Sequence, residues 1–130
     1  IFACGGGVGN SVMKAAESYK GKVIGVDVDQ SVESETVITS AMKVLSGSVY
    51  DAIDSVYKGA FKGGQSITRD INVQGVSLPM QTSKFNTFTE EDYKAIYSTL
   101  GSGEIKLATD KDAEDVTELN LEHVNVQEIQ

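Results

Sequence analysis

The sequence predicts an α/β fold built on a short, mainly parallel sheet flanked by helices. Three observations carry that expectation. A strand-like run, Ile1-Phe2-Ala3-Cys4, ends in the glycine-rich stretch Gly5-Gly6-Gly7-Val8-Gly9. A second run, Lys22-Val23-Ile24-Gly25-Val26-Asp27-Val28-Asp29, is apolar without strict alternation, which suits a strand covered on both faces, and it is tipped with carboxylates. An amphipathic segment with helical spacing lies between them. Together they make one β-α-β unit. Its glycine turn and its acids finish at the same sheet end, where open α/β sheets hold their ligands.

The elements follow in order. The first strand ends near Gly5, and Asn10 or Ser11 is placed to cap a helix that turns Val12, Met13 and Ala16 inward and runs to about Ser18. Gly21 is the expected C-terminal glycine of that helix. The second strand spans Lys22 to Val28, and Gln30 to Glu35 is a polar loop. Val37-Ile38-Thr39-Ser40 reads as a short third strand, too near Asp29 to be reached through a crossover helix, and so as a local return. A long helix follows, with Leu45, Val49, Ile53, Val56, Tyr57 and Ala60 on one apolar stripe and Gly63-Gly64 ending it. Ile67 to Leu78 is β-rich, interrupted by Gly75 and stopped by Pro79. After a loop from Met80 to Phe88, Thr89-Glu90-Glu91-Asp92 resembles a capping box, and Tyr93, Ile96, Tyr97 and Leu100 form the inward stripe of a last helix. Ile105 to Ala108 reads as a strand. Residues 110–130 read as an acidic extension, either a terminal strand or hairpin or a segment outside the core.

The chain of 130 residues carries 11 Lys and Arg against 19 Asp and Glu, a net charge of −8. That balance excludes nucleic acid and anionic membrane surfaces as main partners, since both need basic patches. No apolar run approaches the roughly 20 residues of a membrane span. The single Cys4 leaves no intrachain disulfide and is expected to be a small buried residue. Beginning inside a buried strand, the chain reads as a fragment of a longer protein.

Two chemistries compete for the glycines and the acid-tipped strand. Gly5-x-Gly7-x-x-Asn10 nearly matches G-x-G-x-x-G, with Asp27 20 residues beyond Gly7, so a dinucleotide site of an oxidoreductase is one reading. Asn10 stands where a third glycine lets helix and strand pack closely. In the other reading Asp27 accepts hydrogen bonds from sugar hydroxyls, Lys43 pairs with it and donates to a ligand oxygen, and Asp29 caps the loop. No third carboxylate, His or Cys clusters with Asp27 and Asp29, His123 lies in the tail, and no nucleophile stands out. No metal, cofactor or catalytic residue is therefore assigned. Tyr50, Tyr57, Tyr93 and Tyr97 are core or interface residues by their helical spacing.

The blocks Ile1–Gly9, Val23–Gln30, Val37–Lys43, Val49–Ile53 and Ser102–Lys106, in that order, resemble the C-terminal part of the basic membrane protein family. These are substrate-binding lipoproteins of ABC transporters that include purine nucleoside receptors. The resemblance implies a type I periplasmic-binding-protein-like fold, with residues 1–109 as a C-terminal-lobe portion. It implies non-catalytic capture of a nucleoside between two lobes and delivery to an ABC permease. It implies an extracytoplasmic lipoprotein, at the cell surface or in the periplasm. By position, Asp27 would accept from ribose hydroxyls, Lys43 would donate to the ribose, Gly5 and Gly6 would let the backbone approach the ligand, and Phe2 would be a stacking ring. The connections from the glycines to Asp27 and from Asp29 to Val37 are short for the family. A lobe portion with open strand edges is expected to form a homodimer.

Overall fold

The computed structural model describes residues 1–109, 111–119, 121 and 124–127. Chain entry is set by glycine. Gly6, at φ 59°, turns the backbone sharply and brings the Gly9 N–H to the Gly6 carbonyl at 3.1 Å. Helix α1 therefore starts early, at Val8–Tyr19, with Gly7 as N-cap and no capping side chain in place of the expected Asn10 or Ser11. At its other end Lys20, at φ 54°, takes the left-handed position expected of Gly21, and the Gly21 N–H still reaches the Ala16 carbonyl at 2.8 Å.

Strand β1 is Val23–Asp27 and β2 is Val37–Lys43, paired in parallel with Asp27 opposite Met42. The link between them holds no helix, as expected, but the return is parallel. Parallel strands usually need a crossover of a dozen or more residues. Here β1 is only about 17 Å long, and the link of residues 28–36 can span about 30 Å when extended, so it closes with two turns, Glu33 N–H to Gln30 O at 3.0 Å and Val37 N–H to Ser34 O at 3.1 Å. The ladder slips by one residue between Val23↔Val37 and Ile24↔Thr39, which makes Ile38 a bulge. The Ile38 carbonyl accepts from Lys84 N–H at 2.7 Å.

The first strand shrinks to a single parallel bridge, Phe2 with Ile24. Strand β3, Val76–Ser77, lies antiparallel on β2 and gives a mixed sheet in the order β1-β2-β3. The rest of the expected β-rich stretch is a 3₁₀ turn, Ile71–Val73, capped by Asp70. Ile105 to Ala108 forms no strand. Within 110–130 the described residues hold a 3₁₀ turn, Val116–Glu118, and no strand or hairpin; His123 lies outside the described residues.

The buried apolar core is Met13, Ala16, Val23 and Val37, with Val12 packed against it. It joins one face of α1 to the start of both parallel strands. Helix α2, Leu45–Tyr57, stops at Gly59 (φ 65°), before Gly63-Gly64. Its stripe of Leu45, Val49, Ile53 and Val56 is exposed, as are Tyr50 and Tyr57. Periodicity identifies the apolar face of a helix but not what covers it, and among the described residues nothing covers this one. Helix α3, Glu90–Ser102, carries the Thr89–Asp92 capping box as read. Its Tyr93 and Tyr97 are half-buried, and Ile96 is exposed. The Tyr93 hydroxyl accepts from Leu78 N–H at 3.2 Å, while that of Tyr97 donates to the Ile71 carbonyl at 3.0 Å.

Candidate functional site

Because β1 and β2 run in parallel and end level, Asp27 and Lys43 come from adjacent strands to one sheet end. Lys43 Nζ lies 2.7 Å from Asp27 Oδ1. The Asp27 carboxylate raises the Lys43 ammonium above its ordinary pKa, first by hydrogen bonding and then by charge, with a small addition from Cys4. Oδ1 is enclosed although the Asp27 side chain as a whole is 47% exposed. Oδ2 has no hydrogen-bond partner among the described residues, so it is the oxygen open to a donor from outside.

Asp27 is also held in an uncommon conformation. Its φ is 70°, and Val28 N–H donates to the Val26 carbonyl at 2.8 Å, a γ-turn centred on Asp27. A non-glycine residue in this region costs about 1–3 kcal/mol, and such strain concentrates at binding sites. The turn bends the chain out of the ladder just where the carboxylate must face its neighbour.

The loop beyond is pinned by Asp29, which caps it as read from the sequence. Oδ1 accepts from Ser31 N–H at 3.0 Å, and Oδ2 accepts from the Thr82 hydroxyl at 2.6 Å. The Thr82 contact first, and then the Ser31 N–H, hold the Asp29 carboxyl below the usual carboxylate range.

Gly5 and Gly6 are exposed at the start of α1, and Phe2 keeps 53% of its surface open while bridging Ile24. Cys4 is exposed, contrary to expectation, because the first strand leaves the ladder after Phe2 and its residues are no longer covered. Asp27 and Lys43 are thus brought together directly, while Phe2, Gly5 and Gly6 sit on the neighbouring chain entry. The group is an open surface. The larger cavities, of about 460 and 470 Å³, lie elsewhere and share the Asp51–Arg69 ion pair of 2.6 Å.

One residue of this neighbourhood escaped the sequence reading. Gln30 folds back over Gly25: its backbone N–H donates to Ser40 Oγ at 3.1 Å, and its Oε1 accepts from Val26 N–H at 2.9 Å. A Cβ on Gly25 would stand 2.5 Å from Ser40 Oγ and 2.9 Å from Gln30 Oε1. A glycine inside a strand signals such a close approach, and Gly25 was the available clue.

Residues 1–107 match the family described as ABC transporter substrate-binding protein PnrA-like (Bmp). The chain is 32% identical over 101 residues to the ABC transporter nucleoside-binding protein BmpA of Lactococcus lactis subsp. cremoris, covering 64% of this chain and 29% of that protein. Its fold is similar to the crystal structure of a transcriptional activator of the comK gene from Bacillus halodurans, with TM-score 0.58, 19% identity and coverage of 78% of this chain and 34% of that one. The chain therefore spans about a third of the length of these relatives. The dinucleotide reading is not favoured: the family is one of non-catalytic binding proteins, and no crossover helix follows Asp27. With a short α/β sheet that matches part of a periplasmic-binding-protein-like fold, the chain belongs to the PnrA-like (Bmp) family of ABC transporter substrate-binding proteins.

Proposed function

We propose that this chain supplies the ribose-recognising wall of a nucleoside-binding cleft in a substrate-binding protein that delivers to an ABC permease outside the cytoplasm. The observation that carries the reading is the Asp27–Lys43 pair, 2.7 Å apart at the carboxyl ends of two parallel strands, with Asp27 held at φ 70°. Asp27 Oδ2 accepts from a ribose hydroxyl, and the Lys43 ammonium, neutralised on one side, donates to another. Gly5 and Gly6 let the backbone approach the ligand, and Phe2 offers a ring for the base. A purine nucleoside is the favoured ligand, in keeping with the nucleoside-binding relative. Hinged capture of this kind needs a second lobe. The parent is a lipoprotein, residues 1–109 are the lobe portion, and residues 110–130 are an accessory extension. The open strand edges give the isolated chain a homodimer.

The test is calorimetry on the chain extended to the length of its relatives, with inosine and with 2′,3′-dideoxyinosine. A hydrogen bond to a charged group contributes about 1.5–3 kcal/mol. Inosine should therefore bind at least about tenfold more tightly than the dideoxy compound, and Asp27→Asn should erase most of that difference. Equal affinities for the two in the unsubstituted protein would refute the assignment.

A further inference from the structure

In a parallel ladder alternate residues of one strand bond to the same neighbour. Ile24 N–H donates to the Ile1 carbonyl at 2.8 Å, so Val26 N–H faces the same edge, and the next acceptor in a continuing ladder would be the Ala3 carbonyl. That place is taken by Gln30 Oε1, at 2.9 Å. Gln30 reaches it by crossing the sheet face at Gly25, anchored at its own N–H to Ser40 Oγ, a fully buried side chain on β2. The ladder between the first strand and β1 ends there. One residue later Asp27 enters its γ-turn.

We propose that Gln30 is the positioning residue of this site: its side chain replaces the first strand as the partner of Val26, fixes the turn that presents Asp27 to Lys43, and holds Cys4 to Gly6 apart from β1. The geometry makes the end of the ladder between the first strand and β1 a consequence of one amide. It rests on the reading of Asp27 and Lys43 as the ligand-recognising pair.

The experiment follows the Lys43 side chain by carbon-13 NMR titration in the 130-residue chain, without ligand. The unsubstituted chain sets one limit, with Lys43 above its ordinary value, and Asp27→Asn sets the other. Gln30→Met, close in shape but without the acceptor, should move Lys43 most of the way to the Asp27→Asn limit and lift the exchange protection of the Val26 and Val28 amides. A Lys43 titration in Gln30→Met that matches the unsubstituted chain overturns the proposal. Should Gln30→Met not fold, Ser40→Ala removes only the acceptor of the Gln30 N–H. A shift of Lys43 in the same direction then supports the proposal, and no shift overturns it. In the extended protein, Gln30→Met should weaken inosine binding about tenfold, the worth of a charged hydrogen bond, and leave the dideoxy compound unchanged. If the unsubstituted protein binds both compounds alike, the ribose reading fails, and the Lys43 titration alone decides the role of Gln30.

Discussion

Substituting Gly25 by alanine places a methyl 2.5 Å from Ser40 Oγ, 2.9 Å from Gln30 Oε1 and 3.1 Å from Gln30 Cβ. Ser40 is fully buried and cannot swing away, so Gln30 must give. Overpacking of this kind costs about 1–3 kcal/mol, and each of the two hydrogen bonds that Gln30 would lose adds about 1 kcal/mol. The expected destabilisation is about 3–5 kcal/mol, a large share of the marginal stability of any small domain. With a urea slope of about 1.5 kcal/mol per molar, the midpoint should fall by about 2–3 M. Gly9→Ala is the matched control: the added Cβ has nothing within 4 Å and the position is helical, so a gain of up to about 1 kcal/mol is expected. Urea melts followed by circular dichroism measure both. A Gly25→Ala midpoint within about 0.3 M of the parent would show that the packing of Gln30 over the strand has been misjudged.

Thr82→Val should remove the larger of the two contacts that lower the Asp29 pKa. The stability from Asp29 is present above its unfolded value of about 3.9 and is lost as pH falls through the lowered folded value, so the variant should flatten the acid limb of the urea midpoint between pH 5 and 2. Thr89→Ala removes the side-chain acceptor of the Asp92 N–H in the α3 capping box, leaving the Thr89 N–H to Asp92 bond in place, and should cost about 1 kcal/mol in the same melts, with the loss concentrated in α3 by hydrogen exchange. The 130-residue chain by itself should bind nucleosides weakly or not at all; submicromolar affinity by calorimetry would contradict the need for a second lobe. The same chain should dimerise in light scattering at high concentration, and a monomer there would count against pairing through open edges.

The parts of the fold legible in the sequence were those settled by neighbours in the chain. The α1 stripe of Val12, Met13 and Ala16, the places of β1 and β2 in the chain and the Thr89 capping box all follow from local spacing. Asp27 and Lys43 were legible as a pair because each stands where a strand gives way to the next element; the parallel direction of β2, which brings those ends together, is what the structure adds. What the sequence could not convey depended on distant partners. The direction of β2 depended on whether a short link could reach back along a short strand. The exposure of Leu45, Val49, Ile53 and Val56 depended on a covering layer that periodicity does not reveal. Gly6 overrode Asn10 and Ser11 as the start of α1, because a sharp turn ahead of the helix decides where its first hydrogen bond closes. Gln30 looked like an ordinary loop residue, and only its lie across Gly25 gives it a role.

The Ile38 bulge divides this chain into regions with very different tolerance to changes in length. Lengthening the link of residues 28–36 adds only closure entropy, about 0.6 kcal/mol for each doubling, so relatives with longer loops can keep the same sheet end. Within β2 the arithmetic is of parity. Removing one residue between Thr39 and Lys43, beyond the bulge, shifts every later residue by one position against β1 and turns its side chain to the opposite face. Lys43 would then leave Asp27 altogether. Insertions can accumulate in the link over evolutionary time, while the count of residues between Thr39 and Lys43 is held fixed by a single ion pair.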